Sequence, residues 1–166
     1  MRDRHGLTPL SRAASRGYTE IAQHLLARSD VHADARDINS RSPLSYAAEH
    51  GHRDIVKLLL DRADVKADSR DVNGSSSLWY AARSGHAQVV DLLLARPDVE
   101  ADAKGEQGST PLSCAAWRGH QDAVRFLLAR SDVKVDSRNR YNRTPMSYAR
   151  ESGHERVVQL LLAGVR

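Results

Sequence analysis

The chain has 166 residues, 40% of them hydrophobic and 28% charged, enough for one domain with a real core and ordinary for a globular protein in water. No apolar run approaches the roughly 20 residues of a membrane span, and the start, MRDRHGLTPL, carries charge where a signal peptide would be apolar. The 25 basic and 21 acidic residues leave a formal +4 spread along the chain, a mild bias toward acidic partners that falls short of a nucleic-acid footprint; the single cysteine allows no internal disulfide, which points to a reducing, intracellular and cytoplasmic setting.

The first predicted helix opens at residue 8 with TPLSRAASRGY, and a Leu-rich stretch, IAQHLLAR, follows at 21. After the polar stretch SDVHADARDINSR, from 29 to 41, the same order returns as SPLSYAAEHGH at 42 and IVKLLLDR at 55. SSLWYAARSGH at 76 and VVDLLLAR at 89 make the third copy, and TPLSCAAWRGH at 110 with AVRFLLAR at 123 the fourth. TPMSYARESGH at 144 and VVQLLLAG at 157 make the fifth. Each start lies 34 residues after the last without slippage. The chain therefore reads as one domain, 1–166, of five units at approximately 8–41, 42–75, 76–109, 110–143 and a truncated 144–166. No stretch is left over for a separate catalytic domain.

Each unit reads as two short antiparallel helices and an extended polar loop. Thr110 suits an N-cap, and Pro111 suits the first helical position, where a missing N–H costs nothing. Gly119, with Gly17, Gly51, Gly85 and Gly153 in the same place, supplies the left-handed residue that ends the first helix. The second helix carries one apolar stripe, as in Ile55, Val56, Leu59 and Leu60. Helices this short do not bury their apolar faces alone, so stability must come from stacked neighbours.

A period of 34 also suits tetratricopeptide repeats, but their tryptophan, Leu-Gly and tyrosine spacing is missing. The T-P-L opening, the paired Ala-Ala, the Gly-His and the DV after the leucines instead resemble the ankyrin repeat, from Asp3 to the end of the chain. The resemblance implies an all-α solenoid of five stacked helix-turn-helix units with hairpin loops projecting sideways and a concave face. At roughly 8–10 Å between packed helices, five units would span about 40–50 Å. Three features depart from the family. Its histidine after T-P-L is Ser11, Ser45, Ser113 and Ser147 here, with Trp79 in the third copy, which puts the usual hydrogen bonding there in question. The glycine after the second helix is replaced by ARSDV, DRADV or ARPDV with one extra residue, a variant similar to units in long ankyrin arrays of filamentous fungi. Arg150 stands where other copies have alanine, so that position should face an open end. Neither terminus reads as a polar cap, so the chain is expected to be part of a longer array, monomeric but open to end-to-end association.

Cys114 and His120 invite reading as a nucleophile and its base. His52, His86 and His154 occupy the same place while their partners at the cysteine position are Tyr46, Tyr80 and Tyr148, so the histidine serves the repeat and no catalytic pair is expected. Stacked units hold such histidines, and the row Asp34, Asp68, Asp102 and Asp136, about 10 Å apart, too far for a metal that needs ligands at about 2 Å. No G-x-G-x-x-G occurs, and nothing requires a cofactor.

What remains is surface. Leu112, Ala115 and Ala116 share one helical face toward the stack, which is expected to leave Ser113 and Trp117 on one outer flank and Cys114 and Arg118 on the other. The positions that vary most between copies lie there and at the hairpin tips. In ankyrin repeats such positions line the concave face and commonly bind proteins, so the resemblance implies a non-enzymatic interaction scaffold whose partner is a protein, with acidic character favoured. The candidate contact residues are Arg41, Tyr46, His50, Tyr80, Arg83, Trp117, Arg118, Arg140, Tyr141 and Arg143, several of them of the types that dominate interface energies. The alternative reading is a spacer or autoinhibitory sensor segment of a longer array with no partner of its own.

Overall fold

The computed structural model describes residues 2–164; Met1 and the last two residues of the fifth unit lie outside. Five helix pairs follow one another: α1 (Pro9–Arg16) with α2 (Thr19–Leu26), α3 (Pro43–Glu49) with α4 (Arg53–Leu60), and α5 (Ser77–Ser84) with α6 (Ala87–Leu94). After a 3-10 turn at Glu106–Gly108 come α7 (Pro111–Arg118) with α8 (Gln121–Leu128), and α9 (Pro145–Glu151) with α10 (Glu155–Gly164). First helices pack on first helices, second on second, and the partners of each pair on each other. Leu10, Leu44, Leu78 and Leu112, one per unit, and the Ala pairs beside them are buried between first helices. Ile55, Val56, Leu59, Val89, Val90 and Leu93 do the same between second helices, so one continuous core runs through the stack. Arg150 is exposed on the fifth unit.

The serines that replace the usual histidine build the helix start. Thr8, Ser42, Thr110 and Thr144 accept from the backbone N–H of Ser11, Ser45, Ser113 and Ser147 respectively. The serine hydroxyls answer, Ser45 donating to Ser42 O at 2.8 Å and Ser147 to Thr144 O at 2.9 Å, so a short side chain closes the cap locally. In the third unit Ser76 still caps the N–H of Trp79, and the buried indole reaches across to the following hairpin to donate to Ser109 Oγ at 3.2 Å.

The Gly-His pair joins units. His52, His86, His120 and His154 each donate from Nε2 to a carbonyl near the end of the previous unit's first helix: Ser15, Glu49, Arg83 and Trp117. The imidazole lies against that unit's glycine, and a methyl on Gly51 would come 2.5 Å from His86 Nδ1. Glycine is thus required twice, for φ of +75° and for room.

The missing glycine after the second helix is replaced by an Arg-x-Asp clip. Arg28, Arg62, Arg96 and Arg130 each grip the aspartate two residues on, at Asp30, Asp64, Asp98 and Asp132. Arg62 also donates to Leu26 O at 2.8 Å and Arg130 to Leu94 O at 2.7 Å, capping the preceding unit's second helix. The hairpin tips are linked in turn by backbone bonds from Ile38 to His5 O, Val72 to Asn39 O and Arg140 to Gln107 O.

Candidate functional site

A recurrent polar assembly lies where the hairpin meets the first helix. Asp37 Oδ1 accepts from the N–H groups of Asn39 and Arg41 and so shapes the tip, while Oδ2 accepts from the Tyr46 hydroxyl at 2.6 Å. Asp71 repeats this with Tyr80; Asn139 Oδ1 accepts from the Tyr141 N–H in the same way, but its Nδ2 donates to the Tyr148 hydroxyl at 2.7 Å, so the direction of that bond is reversed. Burial and the Asp37 carboxylate together push the Tyr46 phenol up to about 12, and burial with the Asp71 carboxylate raises that of Tyr80. Arg41 is inserted between the two rings, 4.0 Å from the centre of Tyr46 and 4.2 Å from that of Tyr80, and donates to Glu49 at 2.5 Å. Arg143, in register with Arg41, stacks 5.1 Å from Tyr148 and pairs with Glu151.

Units three and four break this pattern. The arginine of the register is Ser75 and Ser109, the glutamate is Arg83 and Trp117, and the tyrosine of the fourth unit is Cys114. The tip aspartate is Gly105, because a Cβ there would lie 2.7 Å from the Trp79 ring and 2.8 Å from Ser75 Oγ. Ser75 takes over part of the turn by accepting from the Glu106 N–H at 3.1 Å, and Ser109 donates to Glu106 O at 2.7 Å.

The result is an opening of about 170 Å³. Trp117 and Tyr148 form one side, their ring centres 6.0 Å apart; Cys114 and Ser109 line it as well, with Trp79 and Arg83 on the third unit and Glu106 and Gln107 from the tip. A wider recess of about 680 Å³ adjoins it and shares Trp117 and Arg83, adding Arg118, His120, Ser84 and Glu49. Arg83 lies 5.3 Å from the Trp79 ring centre and Arg118 5.0 Å from that of Trp117. Arg41 and Arg143 have carboxylate partners, whereas Arg83 and Arg118 have none within bonding distance among the described residues.

Several expected surface residues lie elsewhere. Ser113 and Cys114, expected on the outer flanks, are 1% and 5% exposed, because the hairpin stems fold over the start of each first helix. Tyr80 is 8% exposed and half of the Arg41 sandwich, and Arg41 itself keeps only 16% of its side chain accessible. Tyr46 is half-buried in the same sandwich. His50 is exposed and donates from Nδ1 to Tyr46 O. Trp117, at 48%, and Arg118 are exposed, and Tyr141 stands at its tip at 63% beside exposed Arg140. The hairpin tip at 106–107 connects the two regions, since Gln107 lines the smaller opening and accepts from the Arg140 N–H. Trp79 and Glu106 were not among the candidates; the signal for them is the tryptophan at a serine position paired with Gly105 at an Asp or Asn position.

The cysteine and histidine have separate roles. Burial pushes the Cys114 thiol up to about 11, which keeps it protonated at neutral pH, and its sulfur lies 3.6 Å from Ser109 Oγ. His120 bonds to Arg83 O, and burial, with a smaller contribution from Arg118, lowers its affinity for a proton. Asp34 and Asp102 are raised above the usual carboxylate range by burial and accept from serines of the following unit. No group of three potential metal ligands occurs among the described residues, nor any helix long and apolar enough to cross a membrane.

A family model described as ankyrin repeats matches in three copies, over residues 1–71, 62–139 and 78–166, which together span the chain. No curated protein matches it.

Proposed function

The chain belongs to the ankyrin-repeat family, whose repeats are in general protein–protein interaction modules, and from that premise we propose that it is a non-enzymatic scaffold binding a protein partner along its first helices and hairpin tips. The contact is centred on Trp117, with Arg83 and Arg118 around it and Arg140 and Tyr141 at the neighbouring tip. Arg41, Tyr46, Tyr80 and Arg143 act mainly by holding the face in shape, and His50 lies at its margin.

The observation that carries this reading is the half-exposed Trp117 ring, set between two openings and beside two arginines that have no carboxylate of their own. A large aromatic over a recess with unpaired guanidinium groups is the composition of an interface hot spot, where a single truncation removes about 2 kcal/mol or more. The surplus of basic groups favours an acidic partner, and a cytoplasmic setting accords with one protonated, buried thiol.

Affinity capture with the intact domain and with a Trp117→Ala, Arg140→Ala, Tyr141→Ala variant tests the proposal. Captured proteins that depend on these side chains, confirmed by direct titration of the purified pair, are expected. Identical partner lists for the two baits would remove the contact patch and leave a spacer segment as the better account.

A further inference from the structure

The five units serve as internal controls for one another, because the same register positions recur every 34 residues. In the second unit the slot defined by residues 41, 46, 49 and 80 is filled from within: the Arg41 guanidinium lies between Tyr46 and Tyr80 and binds Glu49. The corresponding residues at the junction of the fourth and fifth units are Ser109, Cys114, Trp117 and Tyr148, and all four line the 170 Å³ opening. The opening is thus the arginine slot with its arginine removed. Shortening Arg to Ser and Tyr to Cys makes the space, and Tyr148 still supplies one flat wall.

The electrostatic sign has changed with the shape. The filled slot holds a carboxylate, Glu49, and would attract a cation if its arginine were absent. The open slot has Trp117 in the place of that glutamate and Arg83 of the preceding unit on its edge, itself in the glutamate register. Arg118 adds a second guanidinium on the other side of Trp117, lining the adjoining recess together with Arg83. Glu106 is the carboxylate of the smaller opening, and Glu49, the one in the recess, is already bound by Arg41. A guanidinium or ammonium entering here would therefore meet two unneutralised arginines, whereas a carboxylate would complete them.

We propose that this emptied slot and the recess beside it receive an extended peptide segment of the partner, with a glutamate or aspartate side chain bound by Arg83 and Arg118 and an adjacent apolar side chain against Trp117 and Tyr148. The proposal rests on the reading of this face as a partner-binding surface and specifies what the partner presents. The aromatic walls supply contact area at low entropic cost, and the stacked arginines, held against Trp79 and Trp117, supply the sign preference.

The protein's two tryptophans give two indole N–H signals, which makes the test direct. The probes are acetyl-Gly-Leu-Glu-Leu-Gly-amide, the same peptide with central Gln or central Lys, and a six-residue thymidine oligonucleotide, titrated at low ionic strength. The Glu peptide is expected to shift the Trp117 indole signal saturably, with Kd at least tenfold below that of the Gln peptide and the Lys peptide weakest. Arg83→Glu should reverse the order so that the Lys peptide binds best, and Arg83→Gln should abolish the preference. Arg28→Ala, at a paired arginine on the first unit, should change neither. The folded state of each variant is checked by the dispersion of the same spectra. Equal affinities for Glu and Gln peptides, a preference for Lys in the unmodified protein, or tighter binding of the oligonucleotide would overturn the proposal. If all peptides bind alike but Trp117→Ala removes binding, the face binds partners and only the acidic specificity fails. If Trp117→Ala leaves peptide binding intact, both readings fail.

Discussion

Gly51→Ala and Gly153→Ala are the same chemical change at the same register position, yet the structure assigns them different costs. Both residues have a left-handed φ, +75° and +71°, so an alanine at either is strained by about 1–2 kcal/mol, partly offset by about 0.4–1 kcal/mol from a stiffer unfolded chain. At Gly153 nothing lies within 4 Å of the added methyl, and the cost ends there. At Gly51 the methyl would lie 2.5 Å from His86 Nδ1, so the imidazole must move and its bond to Glu49 O must lengthen or break. Overpacking of about 1–3 kcal/mol and loss of a hydrogen bond of about 1 kcal/mol put Gly51→Ala roughly 2 kcal/mol or more below Gly153→Ala. For a chain of this size that is a further fall in Tm of about 4–8 °C, measured by circular dichroism and by urea titration. A terminal unit can fray independently of the rest, so position alone could favour Gly153. A double-mutant cycle removes that ambiguity: His86→Ala should be costly in the unmodified protein and much less so beside Gly51→Ala, with a coupling of about 1–2 kcal/mol. Additive effects would refute the proposed contact between the glycine and the next unit's histidine.

Three further outcomes follow from the geometry. Arg41→Ala leaves Glu49 half-buried without its partner and opens the space between two tyrosine rings, so it should cost about 2–3 kcal/mol; the more exposed Arg143→Ala should cost under about 1 kcal/mol by urea titration, and equal costs would count against the sandwich. Arg130→Gln removes the cap on Leu94 O as well as the clip to Asp132, and should lower stability by about 1 kcal/mol more than Arg96→Gln, whose arginine only holds Asp98. The Cys114 thiol, raised by burial from 9.0 to about 11, stays protonated in the folded chain while the unfolded thiol ionises. Its contribution is therefore complete below about pH 9 and is lost as pH rises to about 11, a change of at most roughly 2–3 kcal/mol. Cys114→Ala should flatten that part of a stability-against-pH curve, although Tyr46 and Tyr80 will still destabilise the fold at higher pH; an unchanged curve would mean that the thiol is more accessible than its burial indicates.

The fold was legible because every element has a cause that repeats. Thr or Ser at the cap, Gly at the left-handed turn, His at the junction and the Leu stripe each recur at the same place, and the structure uses each as its chemistry suggests. The outer flanks of the first helix were less legible. Helical angles put Ser113 and Cys114 away from the stack, but they do not register the hairpin stems, which cover that side through contacts between residues of different units. The same limit hid the role of Arg41: its partners Tyr46 and Glu49 are five and eight residues away, but the second wall of the sandwich, Tyr80, belongs to the next unit. The Arg-x-Asp clip was visible as a 34-residue recurrence, although only the bonds from Arg62 and Arg130 to the preceding unit reveal why it can stand in for a glycine.

The repeat is kept at one set of positions and abandoned at another. Gly85 with His120, and Gly119 with His154, which join units three, four and five, are all retained. Ser75, Trp79, Arg83, Gly105, Ser109, Cys114 and Trp117 all differ from their equivalents in the second unit, and they interlock. Trp79 forbids a Cβ at 105, Gly105 removes the tip carboxylate, and Ser75 and Ser109 restore the turn's hydrogen bonds without refilling the arginine slot. A stack tolerates such a change because each unit touches only its neighbours, so a junction can be opened locally while the histidine contacts hold the helices in register. Here the large residue, the missing side chain and the substitute hydrogen bonds compensate one another, although the Ser77 hydroxyl nearby stays buried without a partner. That mutual fit is the reason to place function at the opening beside Trp117 rather than along the face as a whole.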